Sequence, residues 1–320
     1  MKPRIIFMGT PEFAVAPLSA LLARGDAIVA VVCQPDRPQG RHLQTIATPV
    51  SQVATARGIP VLQPEKVRTP EFAAALRAFD PDLIVTAAYG RILPPDILAI
   101  PRLGCLNLHA SLLPRYRGAA PINWCLIRGE RQTGVTIMLM DEGMDTGAIL
   151  ARRSLPIPDD IDAGQLSQQL AHLGAELLPA VVDDWVAGRL SPVAQNEAEA
   201  SYAPILTRET GLIDWQASAA TVHNLIRGTA PWPGASTWCG DKRLKIHQAR
   251  VCADDSIIRL AEGVPPGTIC LCGGLAISVA CGFGVIDLLE IQSESGKRLH
   301  CRDCAHNYRL GQVMGGDRDV

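Results

Sequence analysis

The sequence predicts an α/β protein: a doubly wound, mostly parallel sheet followed by a small β-barrel (OB-like) C-terminal domain. Three observations lead there. Over the first half, short apolar runs alternate with helix-length amphipathic stretches, the pattern of successive βα units. The 320 residues exceed a usual single domain of ~100–200 residues, so two domains are expected. From about Arg208 the pattern changes to short β-like runs punctuated by Gly and Pro, which suits a small barrel.

The elements follow in order. Arg4 to Met8 is a first strand, ending in Gly9-Thr10-Pro11. Pro11 is placed to open a helix, and Phe13, Leu18, Leu21 and Leu22 follow at roughly helical spacing. Ala27 to Cys33 is a second, buried strand, and Val61-Leu62 a short third. Asp82 to Ala87 is a fourth and Cys105 to His109 a fifth, with helical stretches near 50–57 and 70–79. Gly134 to Met140 and Ala148 to Leu155 are two further strands, joined by the Gly-rich turn 141–147. A long helix from about Ala163 to Val186 closes a domain spanning 1–189. Residues 190–207 are turn-rich and weakly periodic, and read as a linker. The C-terminal domain, 208–320, opens with one helical stretch from Ala217 to Ile226. In open sheets of this kind, ligands bind outside the carboxyl ends of the strands.

Composition narrows the function. Hydrophobic residues make up 48% and charged ones 19%, a globular balance. Net charge is −2, from 30 basic and 32 acidic residues, so no strongly basic nucleic-acid module is present. Only five basic residues are Lys (2, 66, 242, 245 and 297), and residues 208–320 hold 12 basic and 12 acidic side chains. Any nucleic-acid contact must come from local patches. No apolar run approaches the ~18–20 residues of a membrane span, and the first run is too brief for a signal peptide. A cytoplasmic protein with no membrane partner is expected. Ten Cys in a chain of this size read mostly as free, buried thiols.

Gly9-Thr10-Pro11-Glu12-Phe13 is not a dinucleotide fingerprint, because Pro11 stands where the second Gly belongs. The informative block runs from Asn107 to Pro121. Asn107 and His109 lie two apart on a strand and face the same side. A polar pair inside a sheet costs free energy unless it is satisfied or used. At a carboxyl end, Asn offers an N–H to a developing oxyanion, and His offers a base or proton donor near neutral pH. Asp145, in the Gly-rich turn, is a carboxylate that can orient the His or take a proton. A hydrogen-bonded core Asn–His pair fits the same spacing.

Asn107-x-His109-x-Ser111-Leu112-Leu113-Pro114, then Gly118 and Asp145, resembles the signature of the 10-formyltetrahydrofolate-dependent formyltransferases. Further segments resemble one branch, the methionyl-tRNA formyltransferases. They are FMGTPEFAVAPLSALL (7–22), QPDRPQGR (34–41), AAYGRILP (87–94), RLGCLNLHASLLPRYRGAAPINW (102–124), GVTIMLMDEGMDTGAIL (134–150) and PWPGA (231–235). The resemblance covers essentially the whole chain, more loosely after Gly296. It implies a formyltransferase-type Rossmann-like first domain, and formyl transfer from 10-formyltetrahydrofolate to the α-amine of initiator methionyl-tRNA. Asn107, His109 and Asp145 are then catalytic, with no enzyme nucleophile. Folate is expected along Ser111, Leu112, Leu113 and Pro114, using backbone polar groups and apolar walls. Tyr89, Gly90 and Ile92 are expected to line the pteridine pocket. No metal is required, and a monomer is expected.

The resemblance also implies that residues 34–49 enter the acceptor stem, through Arg41 and Arg37. The branch usually has Gly-Lys-Lys after Arg41, where this chain has His42-Leu43-Gln44. Fewer neutralised phosphates predict weaker or less salt-dependent tRNA binding, or compensation elsewhere. Lys242, Arg243, Lys245 and Arg250, with His247, form the basic stretch that can supply it.

Other readings stay open. A sugar-nucleotide N-formyltransferase would share Asn107, His109 and Asp145. A 10-formyltetrahydrofolate hydrolase is expected to carry a regulatory domain before the first strand. A non-catalytic tRNA- or folate-binding protein would not need the three polar residues intact. Cys301-x₂-Cys304, flanked by His300 and His306 and near Cys270 and Cys272, invites a zinc reading. A second Cys-x₂-Cys is missing, however, and His300 directly abuts Cys301.

Overall fold

The computed structural model describes residues 2–39 and 44–315. Contacts divide the chain into two units. One holds Met1–Pro121, Gln132–Pro156 and Ser167–Pro204; the other holds Ile122–Arg131, Ile157–Leu166 and Ile205–Val320.

In chain order the elements are β1 (Arg4–Gly9), α1 (Val15–Ala23), β2 (Ala27–Val32), β3 (Arg37–Gln39), β4 (Gln44–Ile46) and α2 (Pro49–Thr55). There follow β5 (Val61–Leu62), α3 (Pro70–Arg77), β6 (Leu83–Ala87), α4 (Pro95–Leu98) and β7 (Cys105–His109). Next come α5 (Pro121–Ile127), almost wholly in the second unit, then β8 (Gln132–Leu139), β9 (Ile149–Pro156) and α6 (Ala163–Val186).

The first unit is built on a seven-stranded sheet ordered β5-β2-β1-β6-β7-β8-β9. The pairs from β5 to β7 are parallel, and β7–β8 and β8–β9 are antiparallel. β1 and β6 are continuous apolar runs because both sheet faces are covered. Ile5, Ile6, Phe7, Met8, Leu83, Ile84 and Val85 are completely buried. One face packs Ile6, Met8, Val32 and Ile84 against Phe72, Leu76, Leu93 and Ile97. On the other, Gly174 of α6 sits so close to β7 that a Cβ there would lie 2.5 Å from the Leu108 side chain. α2 and α3 start where Thr–Pro pairs dictate. Thr48 and Thr69 cap with their hydroxyls, accepting from Ser51 N–H and Phe72 N–H, and Pro49 and Pro70 hold the first helical position.

Three details depart from expectation. Pro11 does not open an α-helix: residues Glu12–Ala14 form a 3₁₀ turn, and α1 begins only at Val15. The cause is close packing, since a Cβ on Gly9 would lie 2.7 Å from Ala14 Cβ and 2.8 Å from the Ala87 carbonyl. The 34–49 segment contains an antiparallel hairpin, β3–β4. The turn-rich stretch read as a linker packs on the first unit as far as Pro204, with bridges Ile149↔Val193 and Arg117↔Tyr202.

The second unit continues with α7 (Ala219–Thr229), β10 (Ala235–Cys239), β11 (Lys242–Val251), α8 (Asp255–Leu260) and β12 (Ile269–Gly273). β13 (Ala276–Ala280), β14 (Val285–Ser293), β15 (Leu299–His300) and α9 (Cys301–Cys304) complete it. The sheet is antiparallel, ordered β10-β11-β14-β13-β12, with β15 beside the end of β14. Its two ends are joined by the segment near residue 314. Met314 bridges Cys239 and Val313 bridges Thr268. Gly315 N–H donates to the Trp238 carbonyl and Met314 N–H to the Gly267 carbonyl, both at 2.8 Å. The expected small barrel is therefore closed by a short tail. Leu244, Ile246, Ile277, Val279, Ile286 and Leu288 fill it, and Val222 and Ile226 of α7 belong to the same core. Among the described residues, no helix is long and apolar enough to cross a membrane.

Candidate active site

β6 and β7 lie side by side, with Thr86 opposite Asn107 in the register. The Thr86 hydroxyl donates to Asn107 Oδ1 at 2.8 Å. That bond turns the amide nitrogen outward, and Nδ2 donates to Asp145 Oδ1 at 3.3 Å. An amide NH₂ carries two protons, so the second N–H remains for a ligand oxygen. Two residues on, His109 Nε2 is 2.9 Å from the carbonyl oxygen of Tyr116. A carbonyl only accepts, so Nε2 carries a proton. Nδ1 faces Asp145 Oδ1 at 3.6 Å. The other carboxylate oxygen, Oδ2, accepts from Gly118 N–H at 2.9 Å. One carboxylate thus organises the amide, the imidazole and a backbone donor.

The loops that achieve this depart from ordinary backbone geometry. Ala88, Tyr116 and Asp145 all adopt the left-handed region, with φ of 46°, 63° and 55°. Such conformations cost about 1–3 kcal/mol each and persist where the surroundings over-determine them. The turn before Asp145 is set by Asp141, whose Oδ1 accepts from Gly143 N–H at 3.1 Å and Thr146 Oγ1 at 2.7 Å. After it, Gly147 is pressed against β8: a Cβ there would lie 1.9 Å from the Leu139 carbonyl. Asn107 and Asp145 are half-buried and His109 is buried.

The expected folate residues divide into two sets. Ser111 and Leu113 are completely buried, Pro114 and Tyr89 are buried, Leu112 is half-buried, and Gly90 and Ile92 are exposed. Several backbone groups of 111–114 are engaged within the protein. Thr136 Oγ1 donates to the Ser111 carbonyl and accepts from Leu113 N–H, at 2.7 and 3.1 Å. Arg152 donates to the Leu113 carbonyl at 3.0 Å. Of the four side chains, only that of Leu112 is not buried. The thiol of Cys105, on the same face of β7 as Asn107, is pushed up to about 12 by burial and is no nucleophile.

Among the residues expected to meet nucleic acid, Arg41 lies outside the described residues. Arg37 is exposed on β3. Lys242 and Lys245 are exposed on β11. Arg243 donates to Ser236 Oγ at 3.0 Å, Arg250 pairs with Asp287 at 3.2 Å, and His247 meets Gln292 at 2.9 Å. The stretch is therefore two available lysines flanked by committed residues. Among the described residues no disulfide is formed, and no three His, Cys, Asp or Glu side chains converge as a metal site.

Sequence reasoning missed Thr86, Tyr116, Arg117 and Gln195, and it named Gly118 as part of the signature without giving it the N–H that meets Asp145. Thr86 had a signal, as the one polar residue in the apolar run Leu83–Ala87. The others act through backbone atoms or from a distant stretch.

Residues 2–182 match the family described as formyl transferase, and residues 205–309 match its C-terminal domain. The chain is 50% identical over 314 residues to the methionyl-tRNA formyltransferase of Citrifermentans bemidjiense, covering 98% of this chain and 96% of that one. It is 49% identical over 306 residues to that of Geobacter metallireducens, with 96% of each chain covered. Among solved structures, the N-formyltransferase from Helicobacter canadensis in complex with folinic acid and dTDP-3-aminofucose superimposes with a TM-score of 0.67. It is 18% identical, and 90% of this chain and 99% of that one are covered. The fold is thus shared with that N-formyltransferase. The chain belongs to the formyl transferase family, in its methionyl-tRNA formyltransferase branch.

Proposed function

We propose that the chain transfers a formyl group from 10-formyltetrahydrofolate to the α-amine of methionine on initiator tRNA. Formyl transfer is supported by the convergence of Asn107 Nδ2 and His109 Nδ1 on one oxygen of Asp145, at 3.3 and 3.6 Å, and the acceptor by the near-full-length identity to methionyl-tRNA formyltransferases. Bound folate supplies the formyl carbon and, at N10, the leaving amine. The free N–H of Asn107 donates to the formyl oxygen as it gains charge while the methionine nitrogen bonds to the carbon. Asp145 accepts the proton that this nitrogen sheds, directly or through water, passes it to His109 Nδ1, which faces its Oδ1, and Nδ1 delivers that proton to N10 as it leaves as an amine. Preorganised donors of this kind act without reorganising at the moment of reaction. No covalent enzyme intermediate is needed, in keeping with the protonated, buried Cys105 thiol.

Ile92 and Leu112 offer accessible apolar surface for the folate, with Tyr89 and Gly90 beside them and the Ser111–Pro114 backbone as support. Phosphates of the tRNA are held by Lys242 and Lys245 on β11, with Arg243 and Arg250 flanking them, by Arg37 on β3, and by Arg41. Formylation of charged initiator tRNA by the purified protein, with 10-formyltetrahydrofolate as donor, tests the reading. Formyl-methionyl-tRNA is the expected product. Formylation of an amino-sugar nucleotide instead would overturn it.

A further inference from the structure

Gln195 lies in the stretch whose sequence reads as a linker, yet its side-chain amide is fully engaged at the site. Nε2 donates to the carbonyl oxygens of Asp145 and Gly147, at 2.8 and 2.7 Å. Oε1 accepts from Arg117 Nε at 3.0 Å and Nη2 at 2.8 Å. Arg117 is completely buried, and its guanidinium also forks onto the Glu197 carboxylate at 2.8 and 2.7 Å. Both chain neighbours of Arg117 touch reacting groups. Tyr116 gives its carbonyl to His109 Nε2, and Gly118 gives its N–H to Asp145 Oδ2.

These bonds close a ring. It runs from the Asp145 carboxylate to Gly118, through Arg117 and Gln195, and back to the Asp145 carbonyl. Asp145 is thereby held from its side chain and its backbone at once, in a left-handed conformation that a non-glycine residue does not favour. The same ring fixes the carbonyl that aims His109. We infer that Gln195, backed by Arg117, is a positioning residue that sets the placement of Asp145 against Asn107 and His109. The inference rests on the formyl-transfer reading for its kinetic consequence, but not for its geometry.

The alternative role is to dock residues 193–204 on the first unit. Two variants separate the roles. Gln195→Ala removes both arms of the amide. Gln195→Glu keeps Oε1 on Arg117, so the segment stays docked, but it sets an oxygen against two carbonyls that need a donor. The full chain is assayed for kcat and KM, for thermal stability, and for the pH titration of the His109 imidazole by NMR without ligand. In both variants kcat falls ~10–100-fold, as for small misplacements of reacting groups. KM for both substrates stays within about threefold, as expected when only the transition state is affected. Gln195→Glu keeps its melting temperature near the wild-type value, and the His109 titration is displaced. Should Gln195→Ala fail to fold, Gln195→Glu decides alone. Full activity in Gln195→Glu, or an unchanged His109 titration, overturns the proposal. A wild-type protein that forms no formyl-methionyl-tRNA overturns the functional reading instead, and the NMR comparison still decides the positioning role.

Discussion

The carbonyl oxygen of Tyr116 lies 2.9 Å from His109 Nε2, and this bond decides which edge of the imidazole does chemistry. With Nε2–H committed to the loop, Nδ1 is the nitrogen that can exchange a proton at the site. Orientation by a main-chain acceptor also means that no substitution of the Tyr116 side chain removes it directly.

Asn107→Ala should lower kcat for formyl transfer by ~10²–10³, the usual cost of an oxyanion donor, with the fold intact by circular dichroism. Thr86→Val keeps shape but frees the Asn107 amide to rotate. Its kcat should fall about 10–100-fold through misplacement alone. Single-turnover kinetics read both, and wild-type rates in Asn107→Ala would remove Asn107 from the chemistry.

Asp145→Asn leaves the shape of the site but replaces the acceptor shared by Asn107, His109 and Gly118 with a group that has only one carbonyl oxygen. Formyl transfer should fall at least ~10²-fold, in line with loss of a general base, while folate binding measured by calorimetry changes little.

Gly147→Ala is expected to damage the loop, because the new Cβ would meet the Leu139 carbonyl at 1.9 Å. Forcing that contact costs about 1–3 kcal/mol, as for overpacking elsewhere. The loop carrying Asp145 shifts with it, so activity and urea midpoint should drop together.

Burial, reinforced by the charge of Arg227, holds the His223 imidazole below its ordinary 6.5. The unfolded chain therefore takes up a proton there first as pH falls. The associated stability is fully present above about 6.5 and is lost as the pH drops toward the lowered folded value. His223→Gln should narrow the difference in melting temperature between pH 7.5 and pH 5.5. An unaltered difference would show that His223 does not contribute.

Lys242→Ala and Lys245→Ala should each weaken tRNA binding and reduce the slope of log K against log salt by ~1. Arg250→Ala should do less, because its guanidinium is already paired with Asp287. Filter binding across a salt series checks the ranking.

Much of this was readable from the chain. Period-two placement put Asn107 and His109 on one face, and apolar runs marked β1, β2, β6 and β7, because buried parallel strands need continuous hydrophobic residues. The 3₁₀ turn after Pro11 was not legible, since it depends on Ala14 approaching Gly9 and the Ala87 carbonyl. Nor were Gln195 and Arg117, whose roles arise from three chain segments meeting at main-chain atoms. No local pattern encodes such a meeting, and a polar residue in a turn-rich stretch looks like any other solvated one. That Thr136, on a distant strand, engages the Ser111 carbonyl and Leu113 N–H was not legible for a similar reason.

The seam of the small barrel carries a consequence for biosynthesis. β10 ends at Cys239, but the residue that bridges to it is Met314, about 75 residues later. At ~5–20 residues per second, a ribosome needs several seconds to deliver that partner. Until then that edge of β10 is covered only where Leu212 bridges Ser236, and the stretch toward Cys239 is open to pairing with another nascent chain.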